Sequence, residues 1–196
     1  MTAGRPREFN TEEALDHALK VFWAKGYEGA SLPDLTEAMG INRPSLYAAF
    51  GNKEELFRKA LDRYTEEAKK KRDEMLSEPK VRVAMEKMLY GIADGSTCPK
   101  SPRGCLLVQG ALSCGDAAQS VKMELAQRRA QGEAAIRRRF EKAIAENDLP
   151  SSTSAADLAR FITCVIQGMA VQSASGASAE DLRAVAHWAL QAIPAK

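Results

Sequence analysis

The side chains best suited to bind an anion lie in one short stretch, between Ser31 and Lys53. Hydroxyl groups and cations donate hydrogen bonds to phosphate oxygens, and an arginine side chain also reaches the edges of DNA bases. The candidates, with the proline among them, are Ser31, Asn42, Arg43, Pro44, Ser45, Tyr47 and Lys53. Residues 43–53 contain two cations and no acid, so an anionic partner meets no opposing charge there. This stretch is a candidate surface for the phosphates and base edges of double-stranded DNA.

Two short helices joined by a tight turn would position these side chains. Ser31 with Asp34 forms a capping-box pattern that begins the first helix, and Gly40 tolerates the left-handed conformation that often ends one. Asn42 can cap a second helix, whose first turn accepts Pro44 without losing a hydrogen bond. The inner face of the first helix is made by Leu32, Leu35 and Met39. The spacing predicts a helix-turn-helix.

The second helix should present its polar residues outward. We expect Leu46 and Phe50 to point inward together, with Tyr47 at the margin. The outward set is Arg43, Ser45, Ala48 and Ala49. In a helix-turn-helix, the first helix braces a second whose N-terminal residues meet base edges in the major groove. The alternative is an ordinary helical hairpin with common caps.

The run that carries these residues resembles the DNA-binding region of the TetR family of transcriptional repressors. It reads GYEGASLPDLTEAMGINRPSLYAAFGNKEELF, with the Gly-Tyr exit from the first helix, the Gly-Ile-Asn turn and the Leu-Tyr-x-x-Phe-x-x-Lys ending. The resemblance implies phosphate contacts for Ser31, Tyr47 and Lys53. It implies base-edge contacts for Arg43, Pro44 and Ser45. Many relatives carry a larger polar or aromatic residue where this chain has Ala49.

The N-terminal leader, MTAGRPR, is short and basic. Its Arg5 and Arg7 could enter a minor groove, as such arms sometimes do. The alternative is a loose tail without function.

Composition narrows the remaining function classes. The 196 residues carry a net charge of +2, and 45% are hydrophobic, which is typical of a globular protein. No run approaches the ~18 apolar residues of a membrane span, and the polar N-terminus lacks the apolar stretch of a signal peptide. We expect a cytoplasmic protein. Residues 1–63 hold nine Lys/Arg and ten Asp/Glu, so DNA recognition must depend on where the charges sit.

Neither cysteine nor histidine spacing predicts a cofactor, a metal site or an enzyme. The four cysteines lack a Cys-x-x-Cys pair, and in a reducing cytosol they should be thiols. The two histidines, His17 and His187, are joined by no evident nucleophile or carboxylate pair.

Helical periodicity along the chain predicts an all-α protein of about nine helices in two domains. Residues 1–52 would form a three-helix, helix-turn-helix DNA-binding domain, and residues 53–196 a helical ligand-binding and dimerisation domain. A helix beginning after Asn10 should end near Lys25, and one from Lys53 to about Leu76 should connect the domains. A long helix restarting at residues 115–116 carries arginines that are most simply a solvated face: Arg128, Arg129, Arg137, Arg138 and Arg139.

The last two helices are too apolar for the surface of a monomer. One face of each can join the core, and the other can meet a two-fold partner, where Gly168 and Ala170 allow close approach. The TetR resemblance likewise implies a four-helix dimer interface. We therefore expect a homodimer.

The effector site is the least determined part of the chain. An apolar pocket with a polar guide is a candidate, lined by Met88, Gln109, Phe140, Phe161 and Val165. The alternative for these residues is core filling. Cys105 follows a Pro-Arg-Gly turn with Arg103 close by, an environment that lowers a thiol pKa and raises its reactivity. A buried, inert thiol is the alternative.

These observations predict a ligand-responsive repressor that binds a palindromic operator as a dimer and is released by an unidentified small-molecule effector. Two recognition helices about 34 Å apart would enter successive major grooves. The alternatives are a thiol-based repressor that senses oxidants or electrophiles through Cys105, and a helical adaptor that never binds DNA.

Overall fold

The computed structural model describes residues 9–99, 101–112 and 118–195, and every regular element in these ranges is an α-helix. The helices are α1 (Thr11–Gly29), α2 (Leu32–Met39), α3 (Arg43–Phe50), α4 (Lys53–Leu76), α5 (Val81–Ser96), α6 (Leu106–Leu112), α7 (Gln119–Ala145), α8 (Ala155–Ala174) and α9 (Ala179–Gln191). Within these ranges, the predicted all-α class and the predicted number of about nine helices are confirmed. Arg5, Arg7, Cys114 and the predicted helix restart at residues 115–116 lie outside the described residues.

The first helix runs further than its sequence pattern predicted. It continues to Gly29 through a kink at Gly26, whose φ of 71° and ψ of 177° are open essentially to glycine alone. The regular part before the kink ends at Lys25, as the sequence pattern predicted. The kink redirects the chain so that Tyr27 packs beside Phe22 and Phe57.

Two hydrophobic clusters make up the interior of the described chain. The N-terminal cluster combines α1, α2, α3 and the first half of α4 with side chains from later in the sequence, namely Leu106, Ala118, Val121 and Leu125. The C-terminal cluster is built from α5, the second half of α7, α8, α9 and the end of α4. Both α4 and α7 therefore contribute to both clusters, and α6 packs against α1.

A chain of polar contacts joins the first half of α4 to the first half of α7. We call it the α4–α7 seam, and its members are Glu54, Arg58 and Asp62 on α4 with Ser120, Glu124 and Arg128 on α7. Ser120 Oγ donates to Glu54 at 2.9 Å, Arg58 pairs with Glu124 at 3.3 Å, and Arg128 pairs with Asp62 at 2.6 Å. Since both partners advance by four residues at each step, the two helices run side by side in the same direction.

The basic residues of α7 are less solvated than the sequence predicted. Arg128 lies in the seam, and Arg129 Nη1 donates to the Leu107 carbonyl at 2.6 Å. Arg139 is only 5% exposed and donates to the carbonyls of Glu78 and Pro79. The prediction of a uniformly wet face was wrong for these three residues, because arginines donate to carbonyls and carboxylates of neighbouring elements. Arg137 and Arg138 are exposed, as expected.

Candidate DNA-binding surface

Caps fix the geometry of α2 and the turn that follows it. Ser31 and Asp34 form the predicted capping box, in which each backbone N–H donates to the other side chain, at 3.2 and 3.0 Å. Gly40 ends α2 in the left-handed conformation, at φ 64° and ψ 29°. The Ile41 N–H then donates back to the Thr36 carbonyl, which closes the turn.

The N-terminus of α3 is held by Asn42, whose Oδ1 accepts from the Ser45 N–H at 2.9 Å. Leu46 and Phe50 are buried in the N-terminal cluster, which confirms the predicted inner face. A cap and two buried anchors on one eight-residue helix fix both its position and its rotation.

The outer face of α3 differs from the prediction at two positions. Tyr47 is 48% exposed and projects from the face instead of lying at its margin. Ala49 is partly buried, because it lies three residues after Leu46 and so borders the inner face. Arg43, Pro44 and Ala48 are exposed, and Ser45 is half-buried.

Two cations of the N-terminal helices, Lys25 and Arg63, are held in ion pairs. Lys25 donates to Asp34 at 2.6 Å, and this bond, followed by those with Ser31, holds the pKa of the Asp34 carboxyl well below its ordinary value. Arg63 pairs with both Glu12 and Asp16. Among the described residues, none forms an ion pair with Arg43.

Ser31 and Lys53 flank the recognition helix, and each already has protein partners. The Ser31 hydroxyl donates to Asp34 at 2.7 Å. Lys53 begins α4, and its Nζ lies 4.8 Å from the centre of the Tyr27 ring and 3.5 Å from the Glu28 carbonyl oxygen. Burial lowers the pKa of Lys53, while the Glu28 carboxylate opposes that shift.

The six residues predicted to bind an effector are distributed over three places, and Val165 belongs to two of them, because it also packs against the C-terminal cluster. Met88 and Phe140 are fully packed in the C-terminal cluster. Phe161 and Val165 line an open depression of about 380 Å³ on the surface of α8 and α9. Cys105 directly precedes α6, and Gln109 lies within it. This helix packs against α1. The structure does not bring these six residues into one pocket.

The depression also contains a residue that the sequence interpretation passed over. Trp188 is 73% exposed, and Val185, which precedes it by three residues, is 42% exposed. His187 packs edge-on against the Trp188 ring. In the sequence, Val185 and Trp188 form a second apolar stripe on α9, offset from the buried one. This spacing was the signal that could have identified the exposed face.

Cys105 contacts a tyrosine of the connecting helix. The Tyr64 hydroxyl donates to the Cys105 sulfur at 3.3 Å, and the Tyr64 ring packs edge-on against Trp23 of α1. Burial, followed by the charge of Cys105, raises the pKa of Tyr64 well above its ordinary value. The thiol is thus linked through two aromatic side chains to the first helix.

Two kinds of feature, a membrane-spanning helix and a metal-holding cluster, are absent from the described residues. No helix within the described ranges combines the length and the apolar character needed to cross a bilayer. The same ranges contain no group of three or more His, Cys, Asp or Glu side chains arranged to hold a metal ion.

Comparison with known proteins identifies the family. Residues 14–60 match the family described as "Bacterial regulatory proteins, tetR family", and residues 79–188 match "Tetracyclin repressor-like, C-terminal domain". The chain is 36% identical over 193 residues to the HTH-type transcriptional repressor ComR of Escherichia coli (strain K12), covering 97% of this chain and 92% of ComR. It is 30% identical to BdcR of the same organism, with the same coverage.

A solved structure gives the same result. It contains a cysteine mutant of the TetR family regulator CifR, complexed with 26-base-pair operator DNA, and superimposes with a TM-score of 0.93. The two sequences are 41% identical, and the match covers 97% of this chain and all of that one. The resemblance seen in the sequence is confirmed, and the chain belongs to the TetR family of bacterial transcriptional regulators.

Proposed function

We propose that this chain is a repressor that binds a palindromic operator as a homodimer. The observation that carries the proposal is the outer face of α3, where Arg43, Pro44 and Tyr47 project while Leu46 and Phe50 anchor the helix from within. ComR and BdcR are named as transcriptional repressors, and CifR is complexed with its operator, which supports the same role here.

The proposed contacts divide by chemistry. Arg43, Pro44 and Ser45 meet base edges, because they form the first turn of α3, the part of a recognition helix that enters the major groove. Tyr47, Lys53 and Ser31 contact phosphates. Asn42 acts indirectly, by capping the helix that carries the others. Ser31 must redirect its hydroxyl from Asp34 to reach a phosphate, so we assign it the weakest contact of the set. Arg5 and Arg7 are assigned to the adjacent minor groove.

The proposed dimer interface is the exposed apolar face of α8 and α9. Phe161, Val185 and Trp188 are exposed there at 42%, 42% and 73%, and large aromatic side chains of this kind dominate the binding energy of interfaces. The occupant is a second copy of the chain, because two recognition helices are needed to read a palindrome.

The proposed effector response depends on α7, which belongs to both hydrophobic clusters. An effector that enters the C-terminal cluster beside Met88 and Phe140 would shift the second half of α7. The seam would pass that shift to the first half of α4, beside the DNA-binding helices. The effector can then lower operator affinity by no more than the ratio of its own affinities for the released and the DNA-binding conformations.

A second candidate is release by thiol modification at Cys105, favoured by the contact between Tyr64 and the Cys105 sulfur. Oxidants and electrophiles react with cysteine sulfur, and this sulfur lies against a side chain of the connecting helix. An added oxygen or alkyl group would press against Tyr64 and separate α6 from α4. Cys105→Ser should abolish release by hypochlorite or quinones and leave operator binding intact, whereas an unchanged response contradicts this candidate.

Operator binding is tested by fluorescence anisotropy with the intergenic DNA beside the protein's own gene. Arg43→Ala should weaken binding at least tenfold at fixed salt, since each bidentate arginine–base contact contributes about 1–3 kcal/mol and the proposed dimer makes two. Arg138→Ala removes the same charge from an exposed site on α7 and should bind like the wild type. Equal affinity of the two variants would contradict the base contact assigned to Arg43, and no binding by the wild type would favour the helical adaptor.

A further inference from the structure

The Lys53 ammonium rests over an aromatic ring supplied by another helix. Its Nζ lies 4.8 Å from the centre of the Tyr27 ring, within the range of a cation–π contact. Resting on the proposed function, we infer that Tyr27 is a positioning residue that holds the Lys53 ammonium ready for a DNA phosphate. Tyr27 itself need not touch the DNA.

The Tyr27 ring is immobilised from within the domain. Its centre lies 5.1 Å from that of Phe57 and 6.5 Å from that of Phe22, and both phenylalanine rings are fully buried. Gly26 makes this placement possible, because the kink at φ 71° redirects the chain just before the tyrosine. The lysine therefore contacts a rigid support instead of a mobile loop side chain.

The base of the Lys53 side chain is equally fixed. Asn52 caps α4, and Glu55 completes a capping box with bonds of 2.9 and 2.8 Å, so the first turn of the helix cannot fray easily. The Glu28 carbonyl oxygen lies 3.5 Å from Nζ. Backbone, ring and carbonyl together restrict the lysine to few rotamers.

This restriction matters because a free lysine loses rotamer entropy when it binds a phosphate. A side chain that is already ordered loses less. The cation–π contact uses the face of the ring and leaves N–H donors for a phosphate oxygen, while the nearby Glu28 carboxylate favours the charged form of the lysine. Lys25, by contrast, forms a direct ion pair with Asp34 on the neighbouring helix.

A double-mutant cycle on the full-length dimer tests the inference. The variants are Lys53→Met, Tyr27→Leu, Tyr27→Met, Tyr27→Phe and the combination of Lys53→Met with Tyr27→Leu. Operator affinity is measured by fluorescence anisotropy over a series of KCl concentrations, and thermal melting confirms that each variant is folded. Two non-aromatic replacements are included because methionine fills irregular gaps where leucine does not.

We expect Tyr27→Leu and Tyr27→Met to weaken binding about 5- to 30-fold for a dimer with two such pairs. The slope of log K against log [salt] should become shallower by about 0.9 for each phosphate that is no longer neutralised, as in Lys53→Met. Tyr27→Phe keeps the ring and should restore both affinity and slope. Adding Tyr27→Leu to Lys53→Met should weaken binding no further.

Three outcomes would contradict the inference. If Tyr27→Leu weakens binding equally in the wild-type and Lys53→Met backgrounds with an unchanged slope, Tyr27 acts through stability alone. If Tyr27→Phe does not bind the operator as the wild type does, the aromatic ring is not what positions the lysine. If Lys53→Met binds the operator with wild-type affinity, Lys53 makes no phosphate contact. Failure of the proposed function would look different, because the wild-type chain itself would then not bind the operator.

Discussion

Arg128 of α7 pairs with Asp62 of α4 across 2.6 Å, although 66 residues separate them in sequence. The same guanidinium donates to Thr65 on α4 and to Glu124 on its own helix. Its pKa is raised because the hydrogen bonds to Asp62 and Glu124, with the charges of these carboxylates, outweigh the opposing effect of burial. One side chain thus fastens the connecting helix to the helix that enters the C-terminal cluster.

Loss of Arg128 should loosen this junction. Arg128→Ala leaves the half-buried Glu124 carboxylate without its strongest partner, so we expect the free energy of unfolding to fall by about 1–3 kcal/mol. Urea denaturation measures the change, and hydrogen exchange should show faster exchange in the first half of α4. The control is Arg137→Ala, which removes an exposed pair with Glu141 and should cost less than about 0.5 kcal/mol. Equal costs for both variants would show that the seam adds no stability beyond an ordinary surface pair.

The cap of the recognition helix should affect both stability and DNA affinity. Asn42→Ala removes the acceptor for the Ser45 N–H and should cost about 1 kcal/mol of unfolding free energy. Operator affinity should fall with an unchanged salt slope, because no phosphate contact is removed. Asn42→Ser retains a capping oxygen and should lie close to the wild type in both measurements. A shallower slope for Asn42→Ala would instead indicate that Asn42 contacts the DNA backbone directly.

A charge placed on the exposed face of α8 and α9 should dissociate the proposed homodimer. Trp188→Glu places a carboxylate at the most exposed aromatic residue of that face, and we expect light scattering after size exclusion to show a monomer with weakened operator binding. Met123→Glu is the matched control, because Met123 is also a large exposed apolar residue but lies on the first half of α7. Dissociation by Met123→Glu instead of Trp188→Glu would move the interface to α7.

Acid should weaken the contact between Asp148, in the loop after α7, and the start of α5. Its carboxylate accepts from the Val81 N–H at 2.7 Å, and this bond, aided by Lys80 and Arg139, lowers the pKa of Asp148 below its ordinary 3.8. Because the unfolded chain then binds the proton more tightly, this contribution is complete above pH 3.8 and disappears as the pH falls through the lower, folded value. Asp148→Asn should therefore be less stable than the wild type near pH 7 in urea denaturation. The difference in unfolding free energy between the two proteins should narrow near pH 3. A difference that stays constant with pH would contradict the stabilising role given to the Asp148 carboxylate.

The sequence predicted local features well and distant ones poorly. The Ser31–Asp34 box, the Asn42 cap and the Lys53–Leu76 helix depend on residues a few positions apart, so their pattern is visible in the chain itself. The contacts of Arg128, Arg129 and Arg139 depend on neighbours 22 to 66 residues away, and no periodicity reveals such partners. The exposure of Tyr47 depended on the rotation of α3, which its buried anchors set. Four of the six predicted effector residues, Met88, Phe140, Phe161 and Val165, were chosen for apolar character, which core, surface and pocket residues share.

The N-terminal cluster is completed by Leu106, Ala118, Val121 and Leu125, which come from α6 and the start of α7. A chimaera that transplants only the first three or four helices would leave Leu56, Phe57 and their neighbours facing water where those side chains had been. Swapping operator specificity between relatives is therefore better done by replacing single residues on the outer face of α3 than by exchanging whole segments.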